Sequence, residues 1–406
     1  MAQATIRIPL LPESMLGRNL QYAFLSMADP ARTVVYYERG YAEIYRDEFL
    51  EAVATSVEAI ASSLAMHDRQ VECRRLEGID CCNLHPGPKL YTSGTSDSKI
   101  LASAGLDECM ARTRKGGETL GWTQAAISYA VKVLRRGGPL GGGGYQLPML
   151  AKATVFSKLR APGTSLEAKR LTIDKDVLGS ILLGGALAFL GRHNFSSRGQ
   201  DYAEVFLIPG SVSERYKILR EILSLNGLRG NIAARASRIV SNTGASLELS
   251  FSLAMATLLH EAGEVARNLG GMPASDARIY TVAAGRRPMV RSGLSISDLY
   301  YKAYSKTTVY MLYRLAVEKA GGRGEQAGSH INVARTCIET LFLQASEPCT
   351  TSFALDCARL LVGLANATTA SSPLPPSIRE PAVKLATALE RDLSRMKSRC
   401  VRVEAV

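Results

Sequence analysis

Along the first 70 residues, apolar and polar positions first alternate and then recur at helical spacing. "IRIPLL" predicts a strand, "NLQYAFLSM" a short helix, and "TVVYYERGYAEIY" two β-rich runs that pivot at Arg39-Gly40 as a hairpin. The helix that follows runs through Leu64, with Asp47 placed to cap it, because its carboxylate can accept free amides of the first turn. From about Glu72 to Gly117 the periodicity fades, and His85-Pro86-Gly87-Pro88 supplies turn chemistry. "TLGWTQAAISYAVKVLRR" then predicts a helix with Arg135-Arg136 at its negative end and Gly137 as its cap, followed by the loop "GGPLGGGG". "KATVFSKLR" and "AEVFLIPG" read as strands on either side of an apolar helix at 177–190. That apolar run is shorter than the roughly 20 residues a bilayer-spanning helix needs and is interrupted by glycines, so it predicts a buried helix and no membrane partner.

Beyond Ser211 the pattern is almost purely helical. Ser211-Val-Ser-Glu214 and Ser377-Ile-Arg-Glu380 both have capping-box spacing, the second with Pro381 close behind. Helical periodicity covers about 228–240, 245–269, 295–320, 328–345 and 351–366. The expectation is an α+β protein. An N-terminal mixed domain, residues 1–210, carries a β-hairpin and a Gly-rich basic loop, and a C-terminal helical bundle fills 211–406.

Composition adds limits. A chain of 406 residues with 46% hydrophobic content buries a substantial core, which excludes a disordered tail. "MAQATIRIPLLPESM" lacks the charged and apolar regions of an export signal, so a cytoplasmic location is expected. The formal charge of +12 changes the picture more. Most of the cationic side chains are arginines, whose planar fork suits phosphate oxygens. The charge is also blocked: residues 1–60 hold five basic against eight acidic residues, 131–160 hold six basic and none acidic, and 278–306 hold six basic against Asp298 alone. Such blocks favour a track for a polyanion over a surface dressed uniformly in ion pairs, the pattern of a hyperthermophile protein.

Catalytic signals are weak. Tyr91-Thr92-Ser93-Gly94-Thr95 resembles the opening of the phosphate loop of adenylate-forming enzymes, but Asp97 puts a carboxylate where phosphate oxygens belong. "RRGGPLGGGGYQLP" is neither a P-loop nor a dinucleotide turn. His260-Glu261-Ala262-Gly263-Glu264 has glutamate where the zinc motif HExxH needs its second histidine. Cys73, Cys81, Cys82 and His85 lie close in sequence without a standard zinc spacing, so buried thiols, disulfides and a metal stay open for the eight cysteines. No Ser/His/Asp set stands out. No enzyme activity, metal or cofactor is expected.

The residues expected to meet a sugar-phosphate backbone are Arg135, Arg136, Lys152, Lys158 and Arg160 around the Gly-rich loop, Arg235 and Arg238 on a helix, and Arg286, Arg287, Arg291, Lys302 and Lys306. Tyr300, Tyr301, Tyr304, Tyr310 and Tyr313 accompany the last group; they either stack on unpaired bases or form a core stripe.

"LPMLAKATVFSKLRAPG", "LGGALAFLGRH" leading to "AEVFLIPG", and "SISDLYYKAYSKTTVYMLYRLAVEKAGG", set in an α+β part followed by a helical bundle, resemble the large subunit of archaeal type I-A CRISPR Cascade complexes. The resemblance implies a non-catalytic, thermophile protein of antiviral defence. In such a role it would contact CRISPR RNA and target DNA beside other Cascade subunits and a helicase-nuclease. Its tasks would be to hold the guide-RNA handle, help read the target-flanking motif and steady opened DNA. Two other readings compete: a nucleotide-dependent transferase using the Gly-rich loop, and a purely structural assembly subunit.

Overall fold

The computed structural model describes residues 5–13, 15–28, 34–36, 40–65, 73–76, 79–82, 145–146, 149–152, 172–195, 202–224, 228–263, 276–283, 289–294, 299–318, 325–350, 352–366, 368–369, 372–373 and 375–404. The chain is α+β, mostly helical with small antiparallel sheets. It divides into two compact units, Met1–Gly230 with Gly271–Ser295, and Asn231–Gly270 with Ile296–Val406. The division differs from a split at residue 210, since chain from beyond that point is needed to finish the first unit.

In the first unit β1 (Thr5–Pro9) precedes α1 (Leu16–Leu25), β2 (Val34–Tyr36) and β3 (Tyr41–Tyr45). These strands form an antiparallel sheet in the order β1-β3-β2. Gly40 turns the expected hairpin with φ of +67°, where a Cβ would be strained, and its carbonyl accepts from the amide of Leu10 at 2.8 Å. α2 (Arg46–Ala65) starts one residue before Asp47, so Asp47 lies in the first turn, where its charge suits the helix dipole, and is not the cap. The strands β4 (Cys73–Leu76) and β5 (Ile79–Cys82) form a separate hairpin, and β6 (Tyr145–Gln146) pairs with β7 (Thr172–Ile173) beyond α3 (Met149–Lys152). The Gly-rich loop, the helix expected before it, most of "KATVFSKLR" and the Tyr91–Thr95 loop lie outside the described residues.

α4 (Lys175–Ala188) is the apolar helix, and it hands Phe189 and Leu190 to β8 (Phe189–Asn194), where the backbone turns extended at Phe189. α4 crosses α1 so closely that a Cβ on Gly184 would collide with the carbonyl oxygen of Leu20. A buried polar clasp reinforces this contact. The Gln21 side chain accepts from the Leu11 amide and donates to the Pro9 carbonyl and to Ser180 Oγ, at 2.9, 2.9 and 3.0 Å.

A second antiparallel sheet runs β11-β10-β9-β8, built from β8, β9 (Tyr202–Ile208), β10 (Arg278–Ala283) and β11 (Met289–Leu294). The hairpin β10–β11 corrects the purely helical expectation beyond Ser211. Every residue of β9 is buried, and β10 pairs along its whole length. Without β10, a core strand would bury unpaired backbone groups. α5 begins at Glu214 (Glu214–Ser224), so the first capping box does not form. Ser211 Oγ donates to Asp276 Oδ2 at 2.8 Å, and the carbonyl of Ser213 takes the amides of Tyr216 and Lys217.

The second unit contains α6 (Leu228–Thr243), α7 (Leu247–Glu261), α8 (Leu299–Ala303), α9 (Lys306–Val317), α10 (Glu325–Ser346), α11 (Ser352–Asn366) and α12 (Pro376–Glu404), with a small hairpin of β12 (Thr368–Thr369) and β13 (Ser372–Pro373). α7 is its axis. From Leu249 to Leu259 it is buried on all sides, the pattern of a helix wrapped by neighbours, here α8, α9 and α10. Gly244, with φ of +64°, ends α6, and Ser246 Oγ caps α7 by accepting from the Leu249 amide. α12 begins at Pro376, whose fixed φ starts the helix before Ser377, so the second capping box is also displaced. Glu380 instead pairs with Lys384 one turn on. Disulfides Cys337–Cys357 and Cys349–Cys400 tie α10 to α11 and the α10–α11 turn to α12. Among the described residues no helix is long and apolar enough to cross a membrane.

Candidate nucleic-acid interface

The helical unit gathers chemistry where α9 begins. Ser305 is the cap of α9, and its hydroxyl accepts from the Thr308 amide. Asp392, one residue in from the exposed Arg391 on α12, is only 2% exposed. Its Oδ2 accepts from the Ser305 amide and hydroxyl, both at 2.9 Å, and from Thr308 Oγ1 at 2.6 Å. Its Oδ1 faces Arg395 Nη2 at 3.4 Å. At the other end of the same helix pair, Arg314 of α9 lies close enough to Glu380 of α12 to act on its charge. α9 and α12 therefore run antiparallel.

The carboxylate at this junction is consumed by hydrogen bonds, while cations from three helices stay at the surface. Lys302 of α8, Lys306 of α9, and Arg391, Arg395 and Lys397 of α12 are all exposed. The α12 cations were not among the residues expected from the sequence. The signal was present as an arginine ladder, Arg391, Arg395, Arg399 and Arg402, on a helix whose buried face is Leu385, Leu389, Asp392 and Met396.

Of the expected contacts, Lys302 and Lys306 share this junction, and Arg238 is exposed on α6. Arg235 is engaged within the unit. It makes a two-pronged pair with Glu261 at 3.0 and 2.9 Å and lies 5.2 Å from the Tyr313 ring centroid. Lys152 closes α3 and Arg291 lies in β11. Arg135, Arg136, Lys158, Arg160, Arg286 and Arg287 fall outside the described residues.

Tyr300 and Tyr304 belong to the core. Both are buried, and their hydroxyls donate to the carbonyls of Ile338 and Leu341 on α10. Burial, then the neighbouring Tyr304 and Glu339, pushes the Tyr300 phenol far above its usual range; burial and then Asp392 do the same to Tyr304. Neither ring is available to stack on a base. Tyr310 is exposed on α9.

His260, near the end of α7, packs against the Tyr301 ring with centroids 4.7 Å apart. Burial first and Lys306 next lower its pKa; hydrogen bonding to the Tyr304 backbone and the charge of Asp392 act against them. Glu261, the would-be catalytic glutamate of an HExxH site, is held by Arg235. Glu264 lies outside the described residues, and among those described no group of three His, Cys, Asp or Glu side chains is placed to hold a metal. Cys73 stands opposite Cys82 in the β4–β5 ladder, whereas His85 is not described. No protein-family model matches the chain, no curated protein matches it, and no solved structure matches it.

Proposed function

We propose that the chain is a non-catalytic nucleic-acid-binding protein that grips a sugar-phosphate backbone at the α8–α9–α12 junction. The observation that carries this reading is the fate of Asp392. Its carboxylate is buried as a helix cap and faces Arg395 at 3.4 Å, while Lys302, Lys306, Arg391 and Lys397 are exposed on the three helices that carry this junction. Phosphate oxygens accept hydrogen bonds from exposed cations of this kind, and arginine-rich contacts read backbone and not sequence. The finer reading, the large subunit of a CRISPR RNA-guided surveillance complex bound to guide RNA, target DNA and partner subunits, rests on the resemblance of the three segments described above. It is consistent with a protein that leaves sequence recognition to base pairing.

The test is a salt titration of binding to single-stranded RNA and DNA oligonucleotides by fluorescence anisotropy. The variant K306A/R391A/K397A spares Arg395, which touches the cap. It should bind about tenfold more weakly in moderate salt, and its log–log salt slope should flatten by about 2, as expected for two to three lost phosphate contacts. An affinity and slope equal to those of the unaltered protein, with the circular dichroism unchanged, would remove the proposal. For the finer reading, RNA co-purified from the native host should be short and share one constant 5′ segment; heterogeneous RNA argues against it.

A further inference from the structure

The two described disulfides sit in opposite surroundings. Cys337 and Cys357 are wholly buried between α10 and α11. Cys349 is exposed in the turn after α10, and its partner Cys400 on α12 is half-buried. A thiolate must reach a sulfur atom to open a bridge, so exposure separates a labile disulfide from a protected one.

What the exposed bridge holds is visible on α12. Leu385, Ala388, Leu389, Asp392 and Met396 are its buried contacts, and Met396 is the last buried side chain among those described. Lys397 and Ser398 are exposed, and the helix nonetheless continues to Glu404. An isolated stretch of about two turns is not stable as helix in water without tertiary support. Cys349–Cys400 fixes the helix to the α10–α11 turn one turn beyond Met396. The stretch is basic, with Lys397, Arg399 and Arg402.

We infer that Cys349–Cys400 is a thiol-sensitive latch that keeps the basic last turns of α12 helical, and that opening it weakens the protein's grip on polyanions. The second half rests on the proposed function. The chemistry is disulfide exchange with a low-molecular-weight thiol or dithiol. Two reductant thiols become one disulfide; the Cys349–Cys400 sulfur–sulfur bond breaks, and each cysteine leaves as a thiol carrying one of the two protons. Cys337–Cys357 stays closed and preserves the packing of α10 on α11.

The full-length protein is incubated with graded dithiothreitol, alkylated and mapped by mass spectrometry. Cys349 and Cys400 should label at low concentration while Cys337 and Cys357 stay bridged. Tryptic release of the segment after Lys397, Arg399 or Arg402 should speed up about tenfold, since cleavage follows the open population of the helix end. Oligonucleotide affinity should fall about threefold, in keeping with the loss of one or two ordered phosphate contacts. C349S/C400S should match the reduced protein in both readouts and no longer respond to dithiothreitol; should that variant misfold, the titration of the unaltered protein decides alone. Simultaneous opening of both bridges, or an unchanged cleavage rate once Cys349 and Cys400 are labelled, overturns the latch. Faster cleavage with binding present but unaltered overturns the regulatory half. Faster cleavage with no binding in either state leaves the latch standing and removes the proposed function.

Discussion

At the scale of single residues, Asp392 and His260 bear most on the helical unit. Asp392 is the acceptor for three donors at the start of α9, so Asp392→Ala strands the Thr308 hydroxyl and Ser305 amide in a buried place. The expected loss is about 2–4 kcal/mol, a cap plus unsatisfied donors, read as a lower urea midpoint. A midpoint unchanged within error would mean that water satisfies those donors. His260 makes a pH prediction. Burial holds its pKa below the ordinary value, as it does for His193 in the first unit, so the unfolded chain takes up the proton first as pH falls. Stability is therefore full while both imidazoles are neutral and declines as pH drops below about 6.5. His260→Gln should flatten that decline for the helical unit between neutral pH and the carboxylate range; a denaturation midpoint that falls as steeply as before assigns the slope to other groups. The tyrosine stripe shows why sequence alone was ambiguous at this scale. Rings at helical spacing fit a core and a stacking track equally well, and only the α10 carbonyls that receive the Tyr300 and Tyr304 hydroxyls separate the two.

At the scale of elements, the tightest constraint is the crossing of α1 and α4. Gly184→Ala puts a methyl group into the Leu20 carbonyl, and backbone cannot move aside as a side-chain end can. The helices must separate, at a cost of about 3 kcal/mol or more. Gly17→Ala meets the movable end of Leu11 hardest and the Ala151 methyl and carbonyl oxygen less closely, at 2.9 and 3.1 Å, and should cost less. Thermal melts of the two variants in the same buffer test the ranking, which the reverse order would refute. Local pattern was informative here for strong periodicities. The hairpin at Gly40, the strand at Tyr202–Ile208 and most helices after residue 228 follow from spacing and turn residues, but the one helix expected at 295–320 is two, α8 and α9, broken at Tyr304-Ser305 where Ser305 caps the second, and residues 264–269 of another lie outside those described. What spacing could not convey was competition. Ser211 is drawn to Asp276, sixty-five residues away, and Pro376 starts α12 before the serine that looked like its cap. The strands β10 and β11 are six residues each among helices, and their reason to exist is the open side of β9, a distant partner.

At the scale of the whole molecule the same limit governs the site. Charge blocks and the α12 arginine ladder are written locally. That the start of α9, which carries Lys306, is tied to the stretch of α12 that carries Arg395 depends on a hydrogen bond between residues 305 and 392, which no local pattern encodes. The pairing of Arg235 with Glu261 likewise takes one expected contact into the unit's own structure. The two units also make separate demands on the chain. Excising the β10–β11 hairpin should expose the edge of β9 and drive the first unit to aggregate, while the helical unit, which owes that hairpin no strand, keeps its helices. Retention of soluble, protease-resistant first unit after the excision would contradict this.

That hairpin has a consequence for birth on the ribosome. The nascent N-terminal unit cannot close its sheet when Gly230 emerges, because its third and fourth strands are still unsynthesised; it must wait, with the otherwise fully buried strand β9 bare along one edge, while two helices belonging to the other unit pass through the exit tunnel. Nascent chains stalled between Gly230 and Gly271 should therefore be the ones that recruit chaperones, and those stalled well beyond Ser295 should release them.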